Sequence, residues 1–355
     1  MPAGRNTPSI CAWSEDEIDS PIPPETKAPY FDDELGAWIL SRHVDILAAF
    51  RDSNLSPSSP THKDNAEPTD ERERLKMRAE TMDALSPNQL RAWRERMAPE
   101  VRALVESLPI EEPVDLMREY ARPLCLSLAA MVTGISRDDA ARLDENAQRV
   151  SAAAAEPHDQ TLRVSAKAAN AELRNCFHSG PESLRDSGFV ALSQTIPCIL
   201  GNAWFALMQY PQQWSLLHQR PALTEQAIEE LLRYTGLART LTRTATQDLH
   251  LNGFFIRKGE RVVLRIIAAN RDPDRFSNPN QVDVTHRDAG HFTLGAGPHA
   301  CVAAGLIRMA AIAITGPLVQ RFAPPTPGHP IDWRGGSGFR FPGFLWVCLS
   351  LRNRV

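Results

Sequence analysis

The six cysteines, at positions 11, 125, 176, 198, 301 and 348, form no CxxC pair and no tight cluster. Their scatter argues against a disulfide framework and a structural zinc site, both of which need close sulfur ligands. A basic excess is also lacking: 39 Lys and Arg stand against 43 Asp and Glu, a formal charge of −4 mixed along the chain. Nucleic-acid binding needs a concentrated basic surface, so that class is excluded. The N-terminus, MPAGRNTPSICAWSEDEIDS, has no basic start followed by an apolar run and is not a signal peptide. The most apolar window, Cys198 to Met208, falls short of the ~18–20 residues of a membrane span. These absences point to a cytoplasmic protein with no membrane partner. There is no internal repeat, no dividing linker, and nothing resembling a flavin or nicotinamide domain.

What is present is ordinary globular material, 43% hydrophobic and 23% charged, enough for a large core. Residues 36–40 (GAWIL) read as a strand and Val44 to Arg51 as a helix. Residues 53–70, rich in Ser, Pro, Asn and Asp, read as a loop. A charged helix is expected from Glu71 to Ala84, and Ser86-Pro87 opens another. Residues 112–177 carry about three helical stretches. Residues 187–208 are apolar nearly all round and should cross the core as one helix, kinked at Pro197. Helices start again at Pro211 and Thr224. Residues 239–268 alternate like strands, with turns at Asn252-Gly253 and Lys258-Gly259. An irregular stretch at 270–300 precedes a last helix, Val302 to Gln320, and residues 330–350 suggest a hairpin. The expected fold is mainly α with small sheets at the two ends. One domain spans 1–355, with residues 1–29 as an irregular extension.

The chemistry concentrates in His291-Phe-Thr-Leu-Gly-Ala-Gly-Pro-His-Ala-Cys301. Gly295 and Gly297 allow the backbone to bend closely around something flat or bulky. Cys301 then stands at the N-terminus of the expected helix, where unsatisfied N–H groups and the positive dipole end favour a thiolate. A thiolate held by such a loop suits an axial position on heme iron. The other cysteines mostly sit in apolar or amphipathic surroundings and read as packing residues.

At these residues the sequence resembles the cytochrome P450 family. The family's heme-ligand loop, Phe-Gly-x-Gly-x-His-x-Cys-x-Gly, is matched at Gly295, Gly297, His299 and Cys301. Leu294 stands for the Phe and Ala303 for the last Gly. Glu230-Leu-Leu-Arg233, within EELLRY, matches the Glu-x-x-Arg helix, and Ala269-Asn-Arg-Asp-Pro273 matches the phrase that comes after it. The likeness begins near residue 30, includes GAWILSRHVDILAAFRDSNLS at 36–56, and runs to the C-terminus. It implies a P450 fold and heme b (iron protoporphyrin IX), with Cys301 as the metal ligand. Arg243 and His299 match positions that bind heme propionates. Ala84-Leu85-Ser86-Pro87 anchors an alignment that adds Arg74 and Arg78, although a solvated helix face also suits those two. Glu230 and Arg233 imply a clamp on the irregular segment rather than catalysis. The arginine that completes the clamp in the family is Gln281 here, which implies a weaker one.

The oxygen side departs from the family pattern. Its Ala-Gly-x-Asp/Glu-Thr motif falls on Ala191-Leu192-Ser193-Gln194-Thr195, so Thr195 survives while Gln194 replaces the acid and Leu192 the Gly. Glutamine can orient water but cannot exchange a proton as a carboxylate does. Ala191, Leu192, Leu237, Ala238, Arg239 and Thr240 are the expected substrate contacts, Arg239 suiting an anionic group. Compact segments at 53–70 and 155–185 suggest a smaller or more open pocket. The resemblance implies a monomeric monooxygenase acting on a small, secondary-metabolite-type organic substrate, with O2 and electrons from a separate ferredoxin and its reductase. Gln194 and Leu192 keep two alternatives open. One is peroxide use, rearrangement or group transfer at iron; the other is a heme sensor without turnover.

Overall fold

The computed structural model describes residues 27–57, 71–156, 159–177, 184–287, 290–336 and 338–352. Most of the N-terminal extension and most of the 53–70 segment lie outside these residues.

A five-stranded sheet joins β1 (Tyr30–Asp32), β2 (Ala37–Leu40) and β3 (Leu55–Pro57) to β5 (Thr240–Ala245) and β8 (Arg261–Arg265), in the order β1-β2-β8-β5-β3. The segment read as a loop at 53–70 therefore starts with a strand, because Leu55 is buried and pairs with Ala245. Between β5 and β8 a hairpin joins β6 (Leu249–Leu251) to β7 (Phe254–Ile256). Its turn is the expected Asn252-Gly253, both at positive φ. Helix α1 (His43–Arg51) lies beside this sheet, and Phe50, Leu55, Leu264 and Phe292 share one apolar cluster.

The larger cluster is helical and draws residues from Leu85 to Leu349. The first helices are α2 (Glu71–Ala84), α3 (Pro87–Ser107), α4 (Arg122–Thr133), α5 (Arg137–Ala155) and α6 (Gln160–Arg174). The expected single apolar helix at 187–208 is divided into α7 (Asp186–Val190), a π turn (Ala191–Thr195) and α8 (Ile196–Gln209). Pro197 supplies the reason: it has no N–H to give the carbonyl four residues back, and the helix widens just before it. A second π turn, Met117–Ala121, precedes Pro123 in the same way. Ser193 Oγ donates to the Phe189 carbonyl at 2.8 Å and the Cys198 thiol to the Gln194 carbonyl at 3.1 Å, both within this widened region.

Taken through all three segments, Gly188–Gln209 is long and apolar enough to cross a membrane by length and composition. That corrects the expectation that no run reached span length. The most apolar 18-residue window of the run is 78% buried inside the protein, as in a core helix.

Next come α9 (Pro211–Gln219), α10 (Thr224–Thr235), the short α11 (Ile266–Ala269) and α12 (Ala304–Arg321). The C-terminal tail adds β9 (Thr326–Pro327), a hairpin of β10 (Trp333–Gly335) and β11 (Arg340–Pro342), and β12 (Trp346–Cys348). β12 pairs with β9 and with β4 (Pro113–Asp115).

Helix α10 places the clamp. Arg233 is 1% exposed and forks onto both Glu230 carboxylate oxygens at 2.7 Å. It also donates to the carbonyls of Asn270, Pro279 and Gln281. Glu230 accepts the Asp283 N–H, and His286 stands 3.6 Å away. Gln281 thus enters the clamp through its backbone, a contact that does not depend on its side chain.

Candidate active site

The cysteine loop is held from three directions. Asn270 accepts the Phe292 N–H at 2.7 Å and donates to Thr293 Oγ1 at 2.9 Å. Thr293 in turn donates to the Leu232 carbonyl at the end of α10. His43, at the start of α1, stacks on Phe292 with ring centroids 4.2 Å apart and bonds the Gly290 carbonyl. Asp272 accepts the His43 N–H at 2.7 Å, so both polar members of the Asn-Arg-Asp phrase that flank Arg271 serve this loop.

The loop glycines meet protein backbone rather than open space. Gly297, at φ +67°, faces the Phe50 carbonyl so closely that a Cβ would overlap it. Gly295, at φ +70°, turns the chain back so that the Cys301 N–H reaches the Leu294 carbonyl at 2.7 Å. Leu294 and Cys301 then pack against the large apolar cluster that also contains Leu192 and Leu237.

The expected helix start at Val302 is corrected: α12 begins at Ala304, after a turn in which the Ala304 N–H reaches the Cys301 carbonyl. Cys301 is therefore one turn short of the helix proper. Burial pushes its thiol up, opposed by the Ala303 N–H and the charges of Arg78 and Arg308. The dipole argument for a ready thiolate is replaced by this balance of burial against two nearby cations.

Arg78 is half-buried on α2. Arg74 lies one turn earlier on the same helix. His299 is half-buried in the 3-10 turn Gly297–His299.

Arg243 sits in β5 opposite Val262, only 6% exposed, with its guanidinium 5.5 Å from the Phe50 ring centroid. It donates to the Thr242 carbonyl, and burial alone depresses its pKa. No carboxylate partner is recorded for Arg243 among the described residues. A buried cation without a counter-charge costs stability unless an anion is supplied. Phe50 links Arg243 to the Gly297 turn, so the cation and the cysteine loop share one wall. These residues fit a ligand that brings a carboxylate to Arg243 and a metal to Cys301.

On the oxygen side, Leu192, Ser193 and Gln194 are buried, Thr195 is half-buried and Ala191 is exposed. Gln194 Nε2 donates to Asp144 of α5 at 2.7 Å and to Ser193 Oγ at 3.2 Å. Asp144 also accepts from Gln148 at 2.7 Å. The missing acid of this turn is thus balanced by a carboxylate from another helix, which the sequence alone did not reveal. Leu237 is buried, and Ala238 bridges to Phe339 of the C-terminal hairpin. Thr240 pairs with Arg265. Arg239 instead lines a cavity of about 640 Å3 whose lining includes none of the cysteine loop.

Sequence reading also missed Glu229. Arg308 of α12 grips both its oxygens at 2.5 and 2.9 Å, and His291 Nε2 lies 3.4 Å away. Burial would raise its carboxyl, but His291 and Arg308 hold it at about 2. Arg308 lies seven residues after Cys301, two helical turns, the only signal that linked them in sequence.

The cytochrome P450 family model matches residues 209–332. Nocardicin C N-oxygenase from Nocardia uniformis subsp. tsuyamanensis is 28% identical over 89% of each chain. Cytochrome P450 CYP107DY1 from Priestia megaterium is 29% identical over 67% of this chain and 65% of that relative's length. Among solved structures, P450BioI bound to a fatty-acyl carrier protein superposes with a TM-score of 0.80, covering 88% of this chain and 92% of that one. At 21% identity it shows the fold. CxnD, described as an enzyme for C–S bond formation in chuangxinmycin biosynthesis, is 25% identical with a TM-score of 0.75, over 89% of each chain. The fold and the relatives define a heme-dependent oxidoreductase. The chain has the fold of the cytochrome P450 structures, and its residues 209–332 match that family's model.

Proposed function

We propose that this protein is a heme-thiolate monooxygenase acting on a small organic substrate of the secondary-metabolite type. Arg243 carries the reading: a buried guanidinium with no carboxylate partner among the described residues, beside the loop that ends in Cys301. Arg243, His299 and, from α2, Arg78 and Arg74 would hold the propionates of heme b. Leu294, Gly295 and Gly297 shape the loop, and Cys301 would ligate the iron. When bound, the heme supplies the iron at which O2 is reduced and an oxygen atom is inserted.

The protein's own part is to bind, exclude water and move protons. Leu192 and Leu237 supply apolar surface, with Ala191, Ala238 and Thr240 completing the substrate contacts. The Thr195 hydroxyl is the proton donor on the distal helix. Gln194, fixed by Asp144, holds the turn in place rather than delivering a proton itself. Nocardicin C N-oxygenase supports the secondary-metabolite class.

A ferredoxin and its reductase would supply electrons. An acidic carrier suits the groove between α3 and α12 lined by Arg94 and Arg102. A second reading, peroxide use, rearrangement or group transfer at iron, is favoured by the Gln194–Asp144 pairing, which leaves the turn without an acid of its own.

The decisive experiment is the reduced-carbon monoxide spectrum. The parent and Cys198→Ala should give the thiolate-ligated heme band, and Cys301→Ala should lose it. Retention of the band in Cys301→Ala would end the assignment. Reductant consumption with a surrogate ferredoxin, against product formed with peroxide alone, separates the two chemistries.

A further inference from the structure

Helix α10 carries two adjacent acids, and about 100° of helical turn sends them to different neighbours. Glu230 is buried in the Arg233 clamp, whereas Glu229 meets residues on either side of Cys301. His291 lies ten residues before that cysteine, at the head of its loop, and Arg308 seven residues after it, on α12.

Arg308 Nε and Nη2 donate to the two Glu229 oxygens at 2.5 and 2.9 Å. His291 Nδ1 accepts the Thr293 N–H at 3.3 Å, which leaves the ring proton on Nε2, 3.4 Å from Glu229 Oε2. One carboxylate thus ties both flanks of the cysteine loop to α10.

The same carboxylate governs a field. Arg308 stands near enough to Cys301 for its charge to favour the thiolate, and the thiolate in turn favours the guanidinium charge. Burial works against ionised Glu229, but His291 and Arg308 hold its carboxyl at about 2, so it is charged through the working range. A carboxylate gripped this closely leaves a dipole where Cys301 would otherwise face a bare cation.

We propose that Glu229 is a positioning residue for the heme-thiolate site, holding both flanks of the loop and screening Cys301 from the Arg308 charge. The proposal rests on the heme reading of Cys301. Reducing the iron adds one negative charge to the site, which a nearby bare cation favours. Removing the Glu229 charge therefore raises the reduction potential, and removing the Arg308 charge lowers it. The Arg308 and Glu229 side chains are 37% and 26% exposed, so water weakens the effect. Each single change should shift the reduction equilibrium by about twofold to tenfold, roughly 20–60 mV.

The test measures reduction potentials of the heme-loaded parent, Glu229→Gln, Arg308→Gln and the double variant at constant ionic strength. The reduced-carbon monoxide spectrum of each is taken alongside. Glu229→Gln should raise the potential, Arg308→Gln should lower it, and the double variant should return close to the parent. A loop merely loosened by either change would move both single variants in the same direction. Arg308→Lys keeps the charge without the fork and should stay near the parent. Adding Glu229→Gln to it should raise the potential again, and these two carry the test if Arg308→Gln fails to load heme. Single variants that shift together, or do not shift, overturn the proposal, while an intact thiolate band leaves the heme reading standing. A parent without that band overturns both.

Discussion

Replacing Arg233 separates a buried clamp from a surface ion pair. The guanidinium makes two bonds to Glu230 and three to the carbonyls of Asn270, Pro279 and Gln281. Glu230 and Arg233 side chains are 2% and 1% exposed. Arg233→Met would leave a buried carboxylate whose remaining recorded partners are the Asp283 N–H and His286, together with three carbonyls that lose a donor. Breaking a buried pair this way costs about 3–5 kcal/mol, a large share of the ~5–15 kcal/mol that holds a domain together. An exposed i,i+3 pair would cost under about 1 kcal/mol. Arg233→Lys keeps the charge but has three donors and no fork, so about half the loss is expected. The double variant Glu230→Gln/Arg233→Met removes the stranded charge and should be more stable than Arg233→Met alone. Urea midpoints at constant slope give the stabilities, and heme content reports whether the Asn270-held loop survives. A loss below about 1 kcal/mol for Arg233→Met, or a double variant less stable than the single, would refute the clamp.

Arg243→Leu should lower heme retention more than Arg78→Leu, since Arg243 is buried beside Phe50 whereas Arg78 is only half-buried; equal heme occupancy in both would count against this. Gln194→Glu would set a second carboxylate against Asp144 across the gap now closed by a 2.7 Å hydrogen bond, holding one of the pair protonated above the usual carboxylate range. A folded pKa raised in this way contributes stability that is lost as pH rises. The variant should therefore match the parent near about pH 4 and fall behind by about pH 8, with Asp144→Asn restoring it. A gap that does not change with pH contradicts the pairing. Glu229, held at about 2 against an ordinary 4.5, works in the opposite direction. Its stabilisation, at most about 3 kcal/mol, is complete above the unfolded pKa and lost as pH falls from about 5 towards 2. Stability curves for the parent and Glu229→Gln should converge over that range; parallel curves would show that Arg308 and His291 do not hold the carboxylate.

By itself the sequence determined the helical class, the clamp helix, the hairpin at Asn252-Gly253 and the cysteine loop with its glycines. Each rests on local chemistry: apolar period, positive φ at glycine, or residues one helical turn apart. It placed Arg243 near the loop only by resemblance, and it read Pro197 as a kink without seeing the π turn ahead of it. Three decisions belonged to the tertiary structure. Asp144 reaches Gln194 from fifty residues away in sequence, Arg308 and His291 meet on Glu229, and Arg239 turns into a cavity apart from the cysteine loop. Such pairings depend on how helices and strands pack. A side chain's partner across that packing leaves no periodic trace along the chain, whereas a helix face or a tight turn is written in neighbouring residues.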